Sequence, residues 1–204
     1  MSNRRALLLL FTANAISGFA QGLTLLSVPW YFARLEQSTH FNAVYAIITL
    51  LAIFWGLGAG TIVDRFPRKR VFLSTNITEG ILVTSLALIS YQLGWIPEPF
   101  IFLVFTITIF GFYLHYPNLY ALAQEISPPA KYARINSYIE IVGQSTNVLA
   151  GAAAALLLEG TGDAAILEQI PYVAELIPTV EPWPIQQIFL LDGLTYFVSA
   201  GLIA

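Results

Sequence analysis

The chain has 204 residues, of which 57% are hydrophobic and only 10% charged. A water-soluble domain carries about 25% charged residues, so this much apolar surface excludes an ordinary soluble globule. A net charge of −3 gives no electrostatic footing for nucleic acid, and the absence of cysteine excludes a disulfide framework, a thiolate metal site and a cysteine nucleophile.

The apolar residues fall in long blocks of the length a bilayer requires, about 20 residues for a helix. The first block follows Arg4 and Arg5 and runs to about residue 33, too long for the apolar core of a cleaved leader, so it is expected to remain as a first span. The spans are predicted at about 6–33, 42–63, 71–94, 99–121, 132–158 and 186–204. Arg34, Glu36 and Gln37 close the first block. Asp64 to Arg70, with Pro67 inside, closes the second, and Gly94, Pro97 and Pro99 part the third from the fourth. Pro117, Pro128 and Pro129 part the fourth from the fifth. The gap at 159–185 is acidic and proline-rich, and a short surface helix is expected within it. The fold class expected is an all-α membrane protein of six transmembrane helices. The sixth block stops at Ala204 without a polar flank, the pattern of one half of a larger protein; a six-helix protein that pairs with a second copy is the alternative.

Placing the N-terminus in the cytoplasm puts Arg4, Arg5, Arg65, Arg68, Lys69, Arg70, Lys131 and Arg134 on the inner side, and only Arg34 outside. That bias follows the positive-inside rule and supports the number of spans. Trp30, Tyr31, Trp95 and Trp183 fall near the outer interface, where aromatic belts are common.

Ionisable groups inside a span cost about 2.5–3.5 kcal/mol on insertion scales and usually face a cavity or a partner. Three acids qualify as proton or cation coupling candidates: Glu79, Glu140 and Asp192. Glu140 is preferred, because Gln144 and Asn147 follow it at intervals that keep one helical face. The alternative is that Glu140 only hydrogen-bonds a neighbouring helix. Asp192 is read near the start of the sixth span, where capping or snorkelling is the alternative. Asn14, Ser17, Gln21 and Thr24 share a face of the first helix. Asn14 and Gln21, with Gln144 and Asn147, are the substrate-cavity candidates, and bonding between helices is the other reading. Gly143, Asn147, Gly151 and Ala155 repeat every four residues in the fifth helix, which favours close helix packing. His40, expected in the first outer loop, and His115 have no nearby ligand set, so no metal is expected. No phosphate-binding glycine loop and no nucleophile with an orienting base is evident, so neither a cofactor nor an enzymatic activity is expected.

Between the second and third spans the chain reads Gly60-Thr-Ile-Val-Asp64-Arg65-Phe-Pro-Arg68-Lys69-Arg70. This resembles the signature loop of the major facilitator superfamily, G-x-x-x-D-R-x-G-R-[KR], in the right place along the chain. Pro67 stands where the family usually has glycine. An acid at the C-terminal end of a helix is poorly placed against the macrodipole and needs a partner. The resemblance implies that Gly60, Asp64, Arg65, Arg68 and Lys69 form a conformational latch against the other half of such a transporter.

Three further stretches are similar to the drug:proton antiporter branch that includes macrolide and enterobactin exporters: Leu26-Ser-Val-Pro29-Trp30-Tyr31, then Tyr116-Pro117-Asn118 with Ala123-Gln124-Glu125-Ile126, and Leu191-Asp192-Gly-Leu-Thr195-Tyr196-Phe-Val-Ser199-Ala200. Many relatives carry an arginine inside the fourth helix; this chain has no basic side chain between Arg70 and Lys131 apart from His115. The resemblance implies the N-terminal six-helix bundle of a major facilitator fold, built as two three-helix repeats. It further implies a proton-coupled exporter of amphipathic small molecules in the bacterial cytoplasmic membrane. The partners implied are the lipid bilayer, a small-molecule substrate, and the C-terminal half or a second copy. A non-transporting membrane binding or assembly module, and an importer or facilitator of the same fold, are the alternatives.

Overall fold

A computed structural model describes residues 3–161 and 180–204. Among them are six helices long and apolar enough to cross a membrane, and no strand. They are α1 (Asn3–Arg34), α2 (Ser38–Arg65), α3 (Arg68–Leu93), α4 (Glu98–Glu125), α5 (Tyr132–Glu159) and α6 (Ile185–Ile203). A single 3-10 turn, Pro129–Lys131, leads into α5. The all-α membrane expectation is borne out, and the chain is an integral membrane protein.

Local chemistry sets the breaks. Phe66 turns extended after α2, and Pro67 stands at the N-cap of α3, where its missing N–H costs no helical bond. Gly94 ends α3 with φ 73°, a left-handed geometry that glycine adopts without a Cβ clash. Pro117 does not end the fourth helix, contrary to the sequence expectation, and α4 continues to Glu125. A proline removes one backbone bond, a loss that helices in lipid tolerate where neighbours restore the polar contacts. Next to it, the Asn118 side chain donates to the Arg68 carbonyl at 3.1 Å and ties α4 to the start of α3. The surface helix expected in the 159–185 gap falls mainly on residues 162–179, outside the described residues.

The bundle is organised around α1 and α6. Helix α6 packs against α3 and α1, α1 also packs against α5, and α4 packs against both α2 and α3. Small residues allow the closest approaches. A Cβ on Gly22 of α1 would stand 2.8 Å from the Ala150 Cβ, and Gly151 of α5 faces Leu26. On the other side, a Cβ on Gly80 of α3 would lie 3.2 Å from the Gly193 carbonyl of α6. An aromatic cluster, in which Phe32, Phe41 and Phe102 stack pairwise, locks α1, α2 and α4 together at one end.

Candidate functional site

The polar side chains divide between two places. One is the sealed interior between α1, α3, α4 and α6; the other is the open face of α5 and the adjoining edge of α4.

In the interior, Asp192 is wholly buried. It lies two turns into α6 rather than at its start, so the capping and snorkelling alternative is set aside. The Thr24 hydroxyl donates to Asp192 Oδ2 at 2.7 Å, while Oδ1 has no hydrogen-bond partner among the described residues. One turn further along α6 lies Tyr196, also buried. The Gln21 amide lies 3.5 Å from the Tyr196 hydroxyl and 3.5 Å from the Thr108 carbonyl, at the limit of hydrogen bonding. Glu79 is 8% exposed, and its carboxyl group presses against Gly111 of α4, where any side chain would collide with it. Asn14 is buried as well, its amide oxygen 3.1 Å from His115 Nε2. Asn14 and Gln21 thus bridge helices in this structure, the other of the two readings open to them.

The open face holds the rest. Glu140, Gln144 and Asn147 are all exposed on α5. The Tyr120 hydroxyl of α4 donates to Glu140 Oε1. Tyr116 continues the row of tyrosines and its hydroxyl fills the space beside Gly143. The four substrate-cavity candidates therefore do not meet: two are core and two are surface.

The loop residues stand at a third place. Asp64, Arg65 and Lys69 are exposed, and Gly60 has open space where a Cβ would be. Arg68 pairs with Glu125 at the end of α4 at 3.1 Å. Lys69 donates to the Ala204 carbonyl at 2.8 Å. Asp64 has no side-chain partner among the described residues. His40, placed in a loop by the sequence, instead lies in the first turn of α2 and meets Glu98 at 2.8 Å.

The family model for the Major Facilitator Superfamily matches residues 1–202. The chain belongs to the Major Facilitator Superfamily. That superfamily is one of membrane transporters. Among curated proteins it is similar to the multidrug efflux pump Tap of Mycobacterium bovis (strain BCG / Pasteur 1173P2) and of Mycobacterium tuberculosis (strain ATCC 25618 / H37Rv). Each is 29% identical over 94 residues, covering 46% of this chain and 22% of the pump. No solved structure gives a significant match.

Sequence reasoning on this superfamily member singled out neither Tyr196 nor Tyr120 as a site residue, and it placed Thr24 on the polar face of the first helix without a partner. Tyr196 and the partner of Thr24 are two of the findings the structure adds. Both Tyr196 and Thr24 carried a signal: Tyr196 follows Asp192 by four residues, and Thr24 follows Gln21 by three, so each pair shares a helix face. Nothing in the sequence pairs Tyr120 with Glu140, because they belong to different helices.

Proposed function

We propose that this chain is the N-terminal half of a proton-coupled exporter of amphipathic small molecules, working by alternating access in a bacterial cytoplasmic membrane with its N-terminus inside. The observation that carries this reading is the open polar face of α5. Glu140 stands about 12 Å along the helix from Tyr132. Polar groups at such depth are costly against lipid and are found where they line water or meet protein. An exposed stripe of Glu140, Gln144 and Asn147 is therefore suited to a substrate cavity closed by a C-terminal half or a second copy. Efflux of drugs is the activity in the name of the Tap pumps, and it favours export over import.

The loop of Gly60, Asp64, Arg65, Arg68 and Lys69 serves in this reading as the latch of the inward-closed state. Asp64 is left free to meet the partner half, while Arg68 is anchored on Glu125. The Asp64→Asn variant should shift the balance of inward- and outward-open states, read as spin-label distances across the two halves; an unchanged distribution removes the latch.

The test of the function is pH-gradient-driven efflux from proteoliposomes, comparing this chain with one extended through its native downstream sequence. Efflux from the extended protein that falls at least tenfold in Glu140→Gln is expected. Efflux that survives unchanged in that variant removes Glu140 from coupling, and no gradient-driven efflux from either chain removes the exporter reading.

A further inference from the structure

Helices α1 and α5 lie side by side, and three contacts fix their register. Phe11 meets Tyr138 edge-on at 6.4 Å between ring centres. A Cβ on Gly18 would stand 3.4 Å from Thr146 Oγ1, and one on Gly22 would stand 2.8 Å from the Ala150 Cβ. The residue numbers rise together along both helices, so the two run parallel, and Arg4, Arg5 and Arg134 stand at the same end. Glu140, more than half a turn from Tyr138, meets Tyr120 of α4 and belongs to the other side of α5.

A groove follows this seam. Its mouth is a crevice of about 470 Å³ lined by Arg4, Arg5, Leu7, Leu8 and Phe11. Deeper in the membrane is a second crevice of about 400 Å³, where Ala15 and Phe19 of α1 face Leu149 of α5 and Leu191 of α6. Intervals of four, three, four and four residues keep Arg4, Leu8, Phe11, Ala15 and Phe19 on one face of α1. From Leu8 to Phe19 the helix rises about 16 Å, close to half of a hydrocarbon core about 30 Å thick. The groove therefore runs the depth of one leaflet.

Its two ends differ in chemistry. The polar side chains described in the deeper crevice, Thr146 and Thr195, spend their hydroxyls on their own helices, on the Gly143 carbonyl at 2.9 Å and the Asp192 carbonyl at 2.8 Å. That end offers an occupant only hydrocarbon contact. At the mouth, Arg134 Nε donates to the Tyr138 hydroxyl at 2.8 Å, and the guanidinium lies 5.4 Å from the centre of that ring. Tyr138 thus lays Arg134 along the groove wall and leaves its terminal nitrogens without a partner among the described residues. Arg4 and Arg5 have no acidic partner among the described residues either. Arg68 and Arg34, by contrast, are used within the fold, on Glu125 and on the Leu158 carbonyl. Guanidinium groups match the oxygens of a phosphate in forked pairs, and basic pockets between membrane helices recognise anionic headgroups.

We infer that the α1–α5 groove binds one anionic phospholipid, with its phosphate on Arg4, Arg5 and Arg134 and an acyl chain laid past Leu8 and Phe11 into the crevice at Ala15. The site goes beyond the exporter reading and stands without it. Only its assignment to the cytoplasmic leaflet rests on the N-terminus lying inside.

The test is native mass spectrometry of the full-length protein from detergent, which requires neither a leaflet nor transport. Delipidated protein is mixed with phosphatidylglycerol or with phosphatidylcholine of identical chains. The wild type should retain one phosphatidylglycerol several-fold more strongly than phosphatidylcholine. Arg134→Gln, and Arg4→Gln combined with Arg5→Gln, should weaken that retention roughly fivefold for each arginine removed, the weight of one basic side chain at an anionic surface. Arg70→Gln, on the same side of the membrane but outside the groove, should change it little. Ala15→Phe, which fills the deeper crevice, should weaken retention whatever the headgroup. Arg4, Arg5 and Arg134 are exposed, so their variants should melt with the wild type.

Equal retention of the two lipids overturns the site. A loss in Arg70→Gln as large as in Arg134→Gln also overturns it, by reducing the arginines to a diffuse charge at the membrane surface. Unchanged retention in an Ala15→Phe protein that melts with the wild type overturns the seat for the acyl chain. Displacement of the lipid by an equal concentration of inorganic phosphate assigns the arginines to a free anion instead. Lipid binding that persists in a protein without gradient-driven efflux would sink the exporter reading and leave this site intact.

Discussion

The interior between α1, α3, α4 and α6 and the open face of α5 are built from similar residues and behave as opposites. Each offers a carboxyl group, amides at helical spacing and tyrosines. Inside, Thr24 meets Asp192, Asn14 meets His115, and Gln21 reaches toward Tyr196. On α5, Glu140 is held by Tyr120 alone among the described residues, and Gln144 and Asn147 stay exposed. The difference teaches that a polar stripe on a membrane helix does not by itself mark a cavity. The neighbour opposite the stripe decides whether it becomes structure or surface.

That contrast can be broken by substitution. The largest effect is expected from Gly193→Val, because the new side chain meets the Thr84 backbone, which cannot swing aside. Overpacking of this kind costs about 1–3 kcal/mol. Thermal unfolding in detergent should therefore drop clearly, whereas Gly60→Ala, with open space around it, should leave the melting temperature nearly unchanged. Equal losses at the two positions would contradict the close α3–α6 contact.

Next in size is Thr24→Val, which keeps the shape and removes the only side-chain donor to Asp192 among the described residues. Leaving a buried acceptor without its partner costs about 1–3 kcal/mol. The matching change on the open face, Tyr120→Phe, exposes Glu140 to whatever fills the cavity and should cost under about 1 kcal/mol. If the two variants melt together, the interior is wetter than its burial indicates.

The smallest effect is expected from Asn14→Ala, which removes one bond between helices, on average worth about 0.6 kcal/mol in a membrane bundle. Gln144→Ala should leave stability unchanged but weaken substrate binding, measured by fluorescence titration of the full-length protein. The reverse pattern, with Asn14 governing binding and Gln144 governing stability, would exchange the roles of the two regions.

Much of the fold was legible beforehand for a physical reason. Hydropathy over about 20 residues is a local property, and so are the prolines, the Gly94 cap and the spacing of Gly60, Asp64, Arg65, Arg68 and Lys69. These determined six membrane helices and a major facilitator loop without any knowledge of packing. Helical period likewise put Asn14 and Gln21 on one face and Glu140, Gln144 and Asn147 on another.

Period says which residues share a face but not what that face meets. Only the tertiary structure decided that the α1 face is core and the α5 face is open, because that depends on α6, which lies more than 160 residues after Gln21 in the chain and fills the space beside it. The same long-range contact put Asp192, read near the start of the sixth span, in the buried interior against Thr24, where α6 packs on α1 and α3. Two glycines far apart in sequence, 80 and 193, let the backbones of α3 and α6 touch.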